Sequence, residues 1–598
     1  GATIGLMSGI ESLVGRTGAE DAITLGDSGN TLGLGWMETL TGGAGNDHVT
    51  LVDTGTHVVV VTGGIETLTG TSSGTSLVSL VGGQTITIAQ GDVVAAPTLH
   101  LIGDSSNQVV NLATSAGTGA GIIMVSGSIE TLTGSTAASE AVYIGSGGAT
   151  LGLISGIDSL VGQSASSDAL TLGNGGNTFG LSWIETLTGG SGGDHITLKD
   201  TGTHAMTVAG IETLTGNSSG TSTVTLSGSQ TISVNFGDVA AGGTLSLVGD
   251  SGTQVVNVLY NYLGTQAGAV MLSGSIESLS GATGGTQVVS LGSEGMTIGF
   301  VSAIESLIGH TSGTDVITLG AGGNTIVLRA IETLTGGSGS DNAVLRNTGS
   351  ATIALISGIE TLTGSTSGTT VVNLVGNHTI TVGLVGNASS SNVHLVGDSS
   401  TQDVHLATAI VLAAEIAPAA ADLETSKVMV SGTFETLSGS AAQYQNVTVG
   451  SAGVTIGILS GIETLTGASA ASDRVTLGAG SQTVRIDAFE TLTGGSGNDH
   501  VTLGTASYTM IVTGGVETLT GATAGTQAVT LSGDQTITLS NFNTTALYGD
   551  SGNQSVILGS NTTLFTVQGT IESIAGVADV GQSVTFATAS GTTIGNLT

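Results

Sequence analysis

The sequence has little of what an ordinary globular domain is built from. Its 598 residues contain no cysteine, two prolines and only 3% aromatic residues. Disulfide bonds are therefore excluded, and large side chains are too scarce to fill the core of a conventional domain. No apolar run is long enough to form a membrane-spanning helix, so the sequence predicts no membrane span.

Positive charge is also scarce. Seven Lys and Arg residues stand against 43 Asp and Glu residues, which gives a formal net charge of −36. Binding to nucleic acid or to an anionic membrane requires cations on the protein, so the composition excludes both partners. The surplus of carboxylates favours solubility and the binding of cations.

Small and β-branched residues are abundant. The chain contains 101 glycines, and short runs of Val, Ile, Leu and Thr alternate with turn-forming residues about every nine positions. In the run from His48 to Leu51, Val49 and Leu51 can point inward while His48 and Thr50 face out. This pattern is typical of short strands separated by tight turns, so we expect an all-β fold.

A six-residue motif recurs along the whole chain. Its best copy is Ile184-Glu185-Thr186-Leu187-Thr188-Gly189, and most copies lie about 27 residues apart, a period typical of a solenoid. Since three nine-residue units match this period, we predict a β-solenoid (β-helix) with about 27 residues in each three-strand coil. Stacked Glu side chains would repel one another, so we expect them to be staggered, screened or bridged by cations. The sixteen acidic positions are Glu11, Glu38, Glu66, Glu130, Asp158, Glu185, Glu212, Glu277, Glu305, Glu332, Glu360, Glu435, Glu463, Glu490, Glu517 and Glu572.

A longer period overlies the motif. Glycine-rich loops and a Gly-Asp-Ser tripeptide each return about every 147 residues, so the chain comprises four large repeats of one continuous solenoid. In the first three repeats one gap between motifs exceeds two periods of the motif, which predicts an insertion into two coils. Pro97 and Pro418 fall in these stretches, and proline is tolerated in protruding loops. The predicted repeats are 1–147, 148–293, 294–450 and 451–598.

The glycine-rich loops have a recognisable pattern. Gly42–Thr50, Gly189–Thr197 and Gly494–Thr502 read Gly-Gly-x-Gly-x-Asp-x-Val/Ile-x, and Gly336–Val344 keeps the Gly and Asp positions but has Ala343. This nonapeptide resembles that of the RTX family, the calcium-binding β-roll proteins of bacterial surfaces. The resemblance implies that backbone carbonyls and the Asp carboxylate bind calcium between neighbouring turns. The candidate metal ligands are then Asp47, Asp194, Asp341 and Asp499.

The loops also depart from that family. RTX nonapeptides follow one another in tandem, whereas this chain has one good copy in each large repeat, and no second motif Asp stands two nonapeptides further on. Calcium takes six to eight oxygens, so one Asp cannot form a site alone. Glutamates nine residues upstream, such as Glu38, are candidate helpers. The alternative is a tight glycine turn in which the Asp side chain caps backbone N–H groups.

No catalytic constellation is apparent. His48, His195 and His500 follow the motif Asp, but the third repeat has Asn342 there, so we interpret the histidines as exposed strand residues. Trp36 and Trp183 precede a motif Glu, yet alanine takes that position in the later repeats. There is no cysteine nucleophile and no carboxylate pair at glycosidase spacing. The sequence therefore predicts that the protein is not an enzyme.

The function expected from these features is structural. We predict an extracellular protein of the bacterial cell surface whose solenoid repeats assemble head to tail into a filament. The alternatives are an adhesin stalk, a calcium-dependent surface-layer protein with lattice contacts, and a polysaccharide-active β-helix enzyme; surface polysaccharide is a candidate partner. Both ends match internal repeat positions, and the chain begins Gly-Ala-Thr without Met. We expect it to continue into more of its own polypeptide or into a neighbouring subunit.

Overall fold

The structure, a computed structural model, falls into two compact units, Gly1–Ile298 and Gly299–Thr598, each about as long as two of the predicted repeats. The described part contains only strands, so it holds no helix that could cross a membrane. The described residues are 1–71, 73–89, 95–113, 122–135, 141–163, 167–200, 202–216, 220–236, 243–260, 269–282, 287–347, 350–364, 368–383, 391–407, 427–440, 445–468, 472–522, 524–562, 564–577, 582, 584–586 and 592–598.

The strands are short and closely spaced. Those of the first unit are β1 (Thr3–Met7), β2 (Ser12–Val14), β3 (Ala22–Leu25), β4 (Thr31–Gly35), β5 (Thr39–Thr41), β6 (His48–Leu51), β7 (Thr56–Thr62), β8 (Thr67–Thr69), β9 (Ser73–Val81), β10 (Gln84–Ala89), β11 (Ala95–Gly103), β12 (Gln108–Leu112), β13 (Ile122–Thr133), β14 (Ala141–Ser155), β15 (Ser159–Val161), β16 (Ala169–Thr171), β17 (Thr178–Ser182), β18 (Thr186–Thr188), β19 (His195–Leu198), β20 (Thr203–Ala209), β21 (Thr213–Gly216), β22 (Thr221–Leu226), β23 (Gln230–Phe236), β24 (Thr244–Gly249), β25 (Gln254–Tyr260), β26 (Ala269–Gly274), β27 (Ser278–Gly281) and β28 (Val288–Leu291).

One strand, β29 (Thr297–Ser302), contains the division between the units. Those of the second unit are β30 (Ser306–Ile308), β31 (Val316–Leu319), β32 (Thr325–Arg329), β33 (Thr333–Thr335), β34 (Asn342–Leu345), β35 (Ala351–Leu355), β36 (Thr361–Thr363), β37 (Gly368–Leu374), β38 (His378–Gly383), β39 (Ser391–Gly397), β40 (Gln402–Leu406), β41 (Lys427–Gly439), β42 (Asn446–Ser460), β43 (Thr464–Thr466), β44 (Arg474–Leu477), β45 (Thr483–Asp487), β46 (Thr491–Thr493), β47 (His500–Leu503), β48 (Tyr508–Thr513), β49 (Thr518–Thr520), β50 (Gln527–Ser532), β51 (Gln535–Ser540), β52 (Asn543–Gly549), β53 (Gln554–Leu558), β54 (Leu564–Gly576), β55 (Val584–Phe586) and β56 (Thr593–Leu597).

Each coil of the solenoid contains two strands. A strand pairs in parallel with the strand two places further along, so that Ala22 of β3 lies beside Thr39 of β5. The number of residues between paired positions of successive coils is small from Ala22 to Thr39 and larger from Thr244 to Ala269. Most of the described coils have lengths within this range. The predicted β-solenoid is therefore confirmed, but the coil has two strands rather than three and is shorter than predicted.

Alternate strands build two ladders in each unit. In the first unit the odd-numbered strands up to β27 form the first ladder and the even-numbered strands up to β28 the second, with β13 and β14 contributing a half to each. In the second unit the odd-numbered strands from β31 to β53 form the third ladder and the even-numbered strands from β30 to β52 the fourth, and β41, β42 and β54 contribute to both.

The period of the motif is not the period of the coil. The motif occurs at every third strand, whereas a coil closes after two, so its period spans one and a half coils. Successive motif residues therefore change ladder: Glu38 precedes β5 of the first ladder and Glu66 precedes β8 of the second. Glu11 and Glu66 share a ladder but lie three coils apart, roughly 14 Å at about 4.8 Å for each coil. Staggering is thus how these carboxylates avoid one another.

The wide gaps between motifs contain larger coils rather than additional ones. Between Glu66 and Glu130 the chain forms six strand segments, as many as the two predicted three-strand coils would hold, but the segments form three two-strand coils. The extra residues of the predicted insertion enlarge these coils, since one of them extends from Thr75 to its partner Thr98. Pro97 lies in β11, where the register shifts between Ala95 and Thr98, because proline cannot donate to a regular ladder. Pro418 lies outside the described residues.

The core is a set of apolar columns inside the coils. In each Thr-Leu-Thr strand the Leu points inward and the two Thr side chains outward, as the period of two requires. Leu40 stacks between Ile23 and Val61 of the neighbouring coils, and all three are at most 1% exposed. Aliphatic side chains of similar size suit this repetitive stacking, which explains why so few aromatic residues suffice.

Five long strands cross from one ladder to the other at a glycine. The backbone of Gly127 in β13 has φ 70°, and Gly148, Gly432, Gly453 and Gly569 also have positive φ, a region that side chains disfavour. At Gly127 an added Cβ would lie 2.2 Å from the carbonyl oxygen of Gly103 on the adjacent coil. All five corners therefore favour glycine for their conformation, and at Gly127, Gly432 and Gly569 the adjacent coil also leaves no space for a side chain.

Neighbouring large repeats place equivalent corners on opposite ladders. Trp36 lies between β4 of the second ladder and β5 of the first, whereas Trp183 lies between β17 of the first ladder and β18 of the second. In the second unit, Ala330 lies between β32 of the fourth ladder and β33 of the third, whereas Ala488 lies between β45 of the third ladder and β46 of the fourth. One large repeat thus contains an odd number of strand segments.

We predict that Leu492→Ala lowers the free energy of unfolding by about 2–5 kcal/mol, because Leu492 is fully buried between Val475 and Val512. The control is Thr493→Ala in the same strand, whose outward side chain should cost less than about 1 kcal/mol. Urea unfolding followed by circular dichroism measures both. Equal losses in the two variants would contradict the assigned inward and outward faces.

Candidate functional site

The four aspartates predicted to bind calcium are buried and hydrogen-bonded. Asp47 shows the arrangement that they share, and it is 1% exposed. Its Oδ1 accepts both the backbone N–H and the side-chain Nδ2–H of Asn30, each at 2.8 Å, and its Oδ2 accepts the N–H of Gly43 at 2.9 Å. The carboxylate therefore closes its own glycine turn and binds the preceding coil.

The other three aspartates repeat this arrangement. Asp194 and Asp341 each accept three N–H groups in the same way, at distances of 2.6–3.0 Å. Asp499 accepts the backbone N–H groups of Gln482 and Gly495. The loop geometry is that of the capped turn, the alternative left open by the sequence. Calcium binding at these positions stays a prediction, and an ion there would share carboxylates that already accept protein donors.

The motif glutamate binds the aspartate of the preceding coil. Glu66 Oε2 accepts the backbone N–H of Asp47 at 2.7 Å, so a carboxylate joins two coils where the chain turns a corner. We call this contact the carboxylate clamp. It uses a charge-assisted hydrogen bond to satisfy a backbone donor beside the core. Eight clamps bind an aspartate, at 2.6–2.8 Å: Glu38 to Asp21, Glu66 to Asp47, Glu185 to Asp168, Glu212 to Asp194, Glu332 to Asp315, Glu360 to Asp341, Glu490 to Asp473 and Glu517 to Asp499.

Five further clamps bind a glutamine. Gln108 is fully buried; its N–H donates to Glu130 Oε2 at 2.7 Å, and its Nε2 donates to the carbonyl of Leu80 and to Asp104. A Cβ on Gly103 would lie 2.8 Å from Gln108 Oε1, so the amide also requires this glycine. The glutamine clamps are Glu130 to Gln108, Glu277 to Gln254, Glu435 to Gln402, Glu463 to Gln445 and Glu572 to Gln554.

Sequence reasoning missed four of the clamped aspartates and misplaced the helper glutamates. Glu38 binds Asp21 on the preceding coil rather than assisting Asp47, and its three equivalents do the same. The missed residues carry a readable signal, since seven of the eight clamped aspartates begin the pattern Asp-x-apolar-Thr-Leu. The missed aspartates are Asp21, Asp168, Asp315 and Asp473.

A second type of corner contains tryptophan, histidine and aspartate. Asp53 Oδ1 accepts the N–H of Trp36 at 2.9 Å, Asp53 Oδ2 lies 2.5 Å from His57 Nδ1, and His57 Nε2 donates to the carbonyl of Met37 at 2.8 Å. Burial raises the pKa of Asp53 from its usual value, while the charge of His57 opposes that rise. His57 is 3% exposed, so the interpretation of the histidines as exposed is wrong here.

The same corner recurs in the second repeat and is simplified in the third. Asp200 accepts the N–H of Trp183 at 2.9 Å and lies 3.1 Å from His204. In the third repeat the N–H of Ala330 donates to Asn347 Oδ1 at 2.9 Å. A neutral amide can replace the aspartate and histidine, which favours a structural role for the cluster over a catalytic one.

The clamps, capped turns and corner clusters all serve contacts between coils. Within the described residues no three His, Asp or Glu side chains converge as a metal site. Asp47 and Asp194 precede strands of opposite ladders and are not brought together. No protein-family model matches the sequence, and neither a curated protein nor a solved structure matches it.

We predict that Glu66→Ala lowers the free energy of unfolding by about 1–3 kcal/mol, because the N–H of Asp47 would lose its acceptor beside the core. Glu66→Gln should cost less, since a side-chain oxygen remains. Glu11→Ala is the matched control, because Glu11 belongs to the same motif but is exposed and clamps no residue of the described chain. Similar losses for Glu66→Ala and Glu11→Ala in urea unfolding would refute the clamp.

Acid should destabilise the protein. Backbone N–H groups lower the pKa of Asp398 below its usual 3.8, chiefly those of Gly376 and Ser400, and Asp104, Asp250 and Asp550 behave likewise. A pKa lower in the folded state means that the stabilisation is present above about pH 3.8 and is lost as the pH falls through the folded value. We therefore expect the melting temperature to decrease when the pH is lowered below about 4.

The same experiment has an internal control. Asp398→Asn should weaken the acid dependence of the melting temperature, because this residue no longer titrates. Asp403→Asn removes an outward carboxylate that accepts no N–H group within the described chain, and it should leave that dependence unchanged. An identical pH profile for the wild type and Asp398→Asn would show that these hydrogen bonds do not contribute.

The calcium prediction is tested by melting curves with added calcium or a chelator. Ion binding to the folded state alone raises the melting temperature with ion concentration. The sequence predicts such a rise and its loss in the quadruple Asp→Asn variant of Asp47, Asp194, Asp341 and Asp499. A melting temperature that neither calcium nor chelator changes would leave the loops as capped turns only.

Proposed function

We propose that this chain is a structural protein whose coils act as a stacked scaffold and assemble head to tail into a filament of the bacterial cell surface. The observation that carries the proposal is the use of the repeated polar residues. Thirteen of the sixteen motif residues clamp a backbone N–H of a preceding coil. The chain thus repeats its chemistry in order to stack coils.

The remaining repeated groups support the same function. The motif aspartates close turns, and the buried His57 has both ring nitrogens engaged by Asp53 and Met37. An enzyme would instead hold reactive groups where a substrate could reach them. On this basis we propose no catalytic activity, and we retain an adhesin stalk as the variant in which the same scaffold carries a binding region.

Head-to-tail assembly would extend the pairing that operates inside the chain. Where a parallel ladder ends, its last strand presents N–H and C=O groups that another strand can pair with. Successive coils inside the chain are already joined by such pairing, and many also by a clamp, so a coil of a second molecule fits the same chemistry. A contact of this kind does not close on itself and gives an open filament. Repulsion between chains that each have a net charge of −36 opposes this assembly, so salt, which screens the charges, should promote it.

We expect filaments of purified protein in electron microscopy. A rigid cap, proline-containing and charged, fused directly to Thr598 at the end of the chain should reduce them to single particles, because it blocks the ladder end. The control carries the same cap on a long Gly-Ser linker, which leaves the ladder end accessible. Long filaments from the directly capped protein would refute end-to-end assembly, and particles that remain single for the uncapped protein would refute self-assembly altogether.

A further inference from the structure

Two of the seven basic residues lie side by side. Arg329 ends β32 and Arg346 directly follows β34, the next strand of the fourth ladder. The backbone N–H of Arg346 donates to the carbonyl of Leu328 at 2.8 Å, which continues the ladder by one residue. Arg329 Nε donates to the carbonyl of Arg346 at 3.2 Å and is held across the two coils. Two guanidinium groups thus occupy one outward row.

The pair is peculiar to the third repeat. The corresponding neighbours are Gly35 and Val52 in the first repeat, Ser182 and Lys199 in the second, and Asp487 and Gly504 in the fourth, as the same backbone contact identifies. The scaffold therefore needs no arginine at either position. In a chain of −36 net charge, two stacked cations at one corner call for a reason beyond packing.

The third repeat also lacks the acid that follows this corner in the first two repeats. Asp53 follows Val52, and Asp200 follows Lys199, but Asn347 follows Arg346. No ion pair joins Arg329 or Arg346 to a carboxylate within the described residues, and Arg329 is exposed while Arg346 is half-buried. Stacked like charges repel, so the pair is an attractive site for an external anion.

We infer that Arg329 and Arg346 form a carboxylate-binding site through which a second copy of this chain docks side by side. The guanidinium group matches a carboxylate with two parallel hydrogen bonds, and two adjacent groups can hold one acidic side chain from both sides. Carboxylates are the charged groups that this chain offers in surplus, 43 against seven cations. The inference rests on the proposed self-association and adds a lateral contact to the end-to-end one.

The test compares two double variants with equal net charge. Arg329→Gln/Arg346→Gln removes the pair, and Arg474→Gln/Arg485→Gln removes two exposed arginines of the same unit that lie on opposite ladders. Electron microscopy measures filament width, and sedimentation measures the protein concentration at which filaments bundle. We expect wild type and control to bundle, and the Arg329/Arg346 variant to form single-width filaments with about a tenfold higher concentration needed for bundling.

Further measurements separate the possible failures. At about 1 M salt, where charges are screened beyond about 3 Å, wild-type bundles should separate into single filaments. Bundling unchanged in the Arg329/Arg346 variant, or equally lost in the control, would overturn the lateral site while leaving the filament intact. Wild-type filaments that stay single, with a polyuronate bound only when both arginines are present, would make the occupant an acidic polysaccharide and overturn the inference. Protein that forms no filaments and no lateral assemblies would overturn both the proposed function and the inference.

Discussion

Stacking a chain into coils leaves backbone N–H groups at every corner, where no ladder continues to receive them. The protein meets this constraint with carboxylates: the motif glutamate accepts a corner N–H from the preceding coil, as Glu66 does from Asp47. That aspartate in turn accepts N–H groups of its own turn and of a coil still earlier. A corner with such a clamped aspartate is therefore linked to its neighbours in both directions, and the N–H groups that the two carboxylates accept are satisfied.

This arrangement also accounts for the acidity. Carboxylates are the acceptors best suited to several N–H groups at once, so a chain with many corners accumulates them. The cost of collecting negative charge is limited in two ways. Oriented N–H dipoles surround the buried aspartates, and the mismatch between a three-strand motif and a two-strand coil separates motif residues on one ladder. Acidity here is a consequence of the fold as much as a property of the surface.

The sequence was sufficient for the strand pattern, the four repeats and the solenoid, because inward and outward residues alternate visibly in strands such as Thr39–Thr41. The sequence was insufficient to predict how many strands and residues form one coil. The motif at Glu38 and Glu66 marks a corner that needs a clamp, and such corners recur every third strand, so the strongest period in the sequence was not that of the chain path. Only pairing such as that of Ala22 with Thr39 reveals the two-strand coil.

The candidate site was predictable in part for a similar reason. The residue types around Asp47 indicate an oxygen-rich turn, and both a bound ion and bound N–H groups are compatible with them. The choice depends on which backbone donors face the carboxylate, and the donor residue Asn30 belongs to the preceding coil. The contribution of Asn30 depends on coil length, which the motif period had concealed. The buried pair of Asp53 and His57 was hidden likewise, since burial at a corner depends on the coil above it.

The odd number of strand segments in a large repeat constrains how such a gene can change length. Because equivalent corners such as Trp36 and Trp183 alternate between ladders, loss or duplication of a single repeat by recombination would turn every later repeat to the other side of the scaffold. Loss or duplication of two repeats would leave the orientation of the rest unchanged. Length variants that preserve a surface for binding should therefore differ by even numbers of repeats.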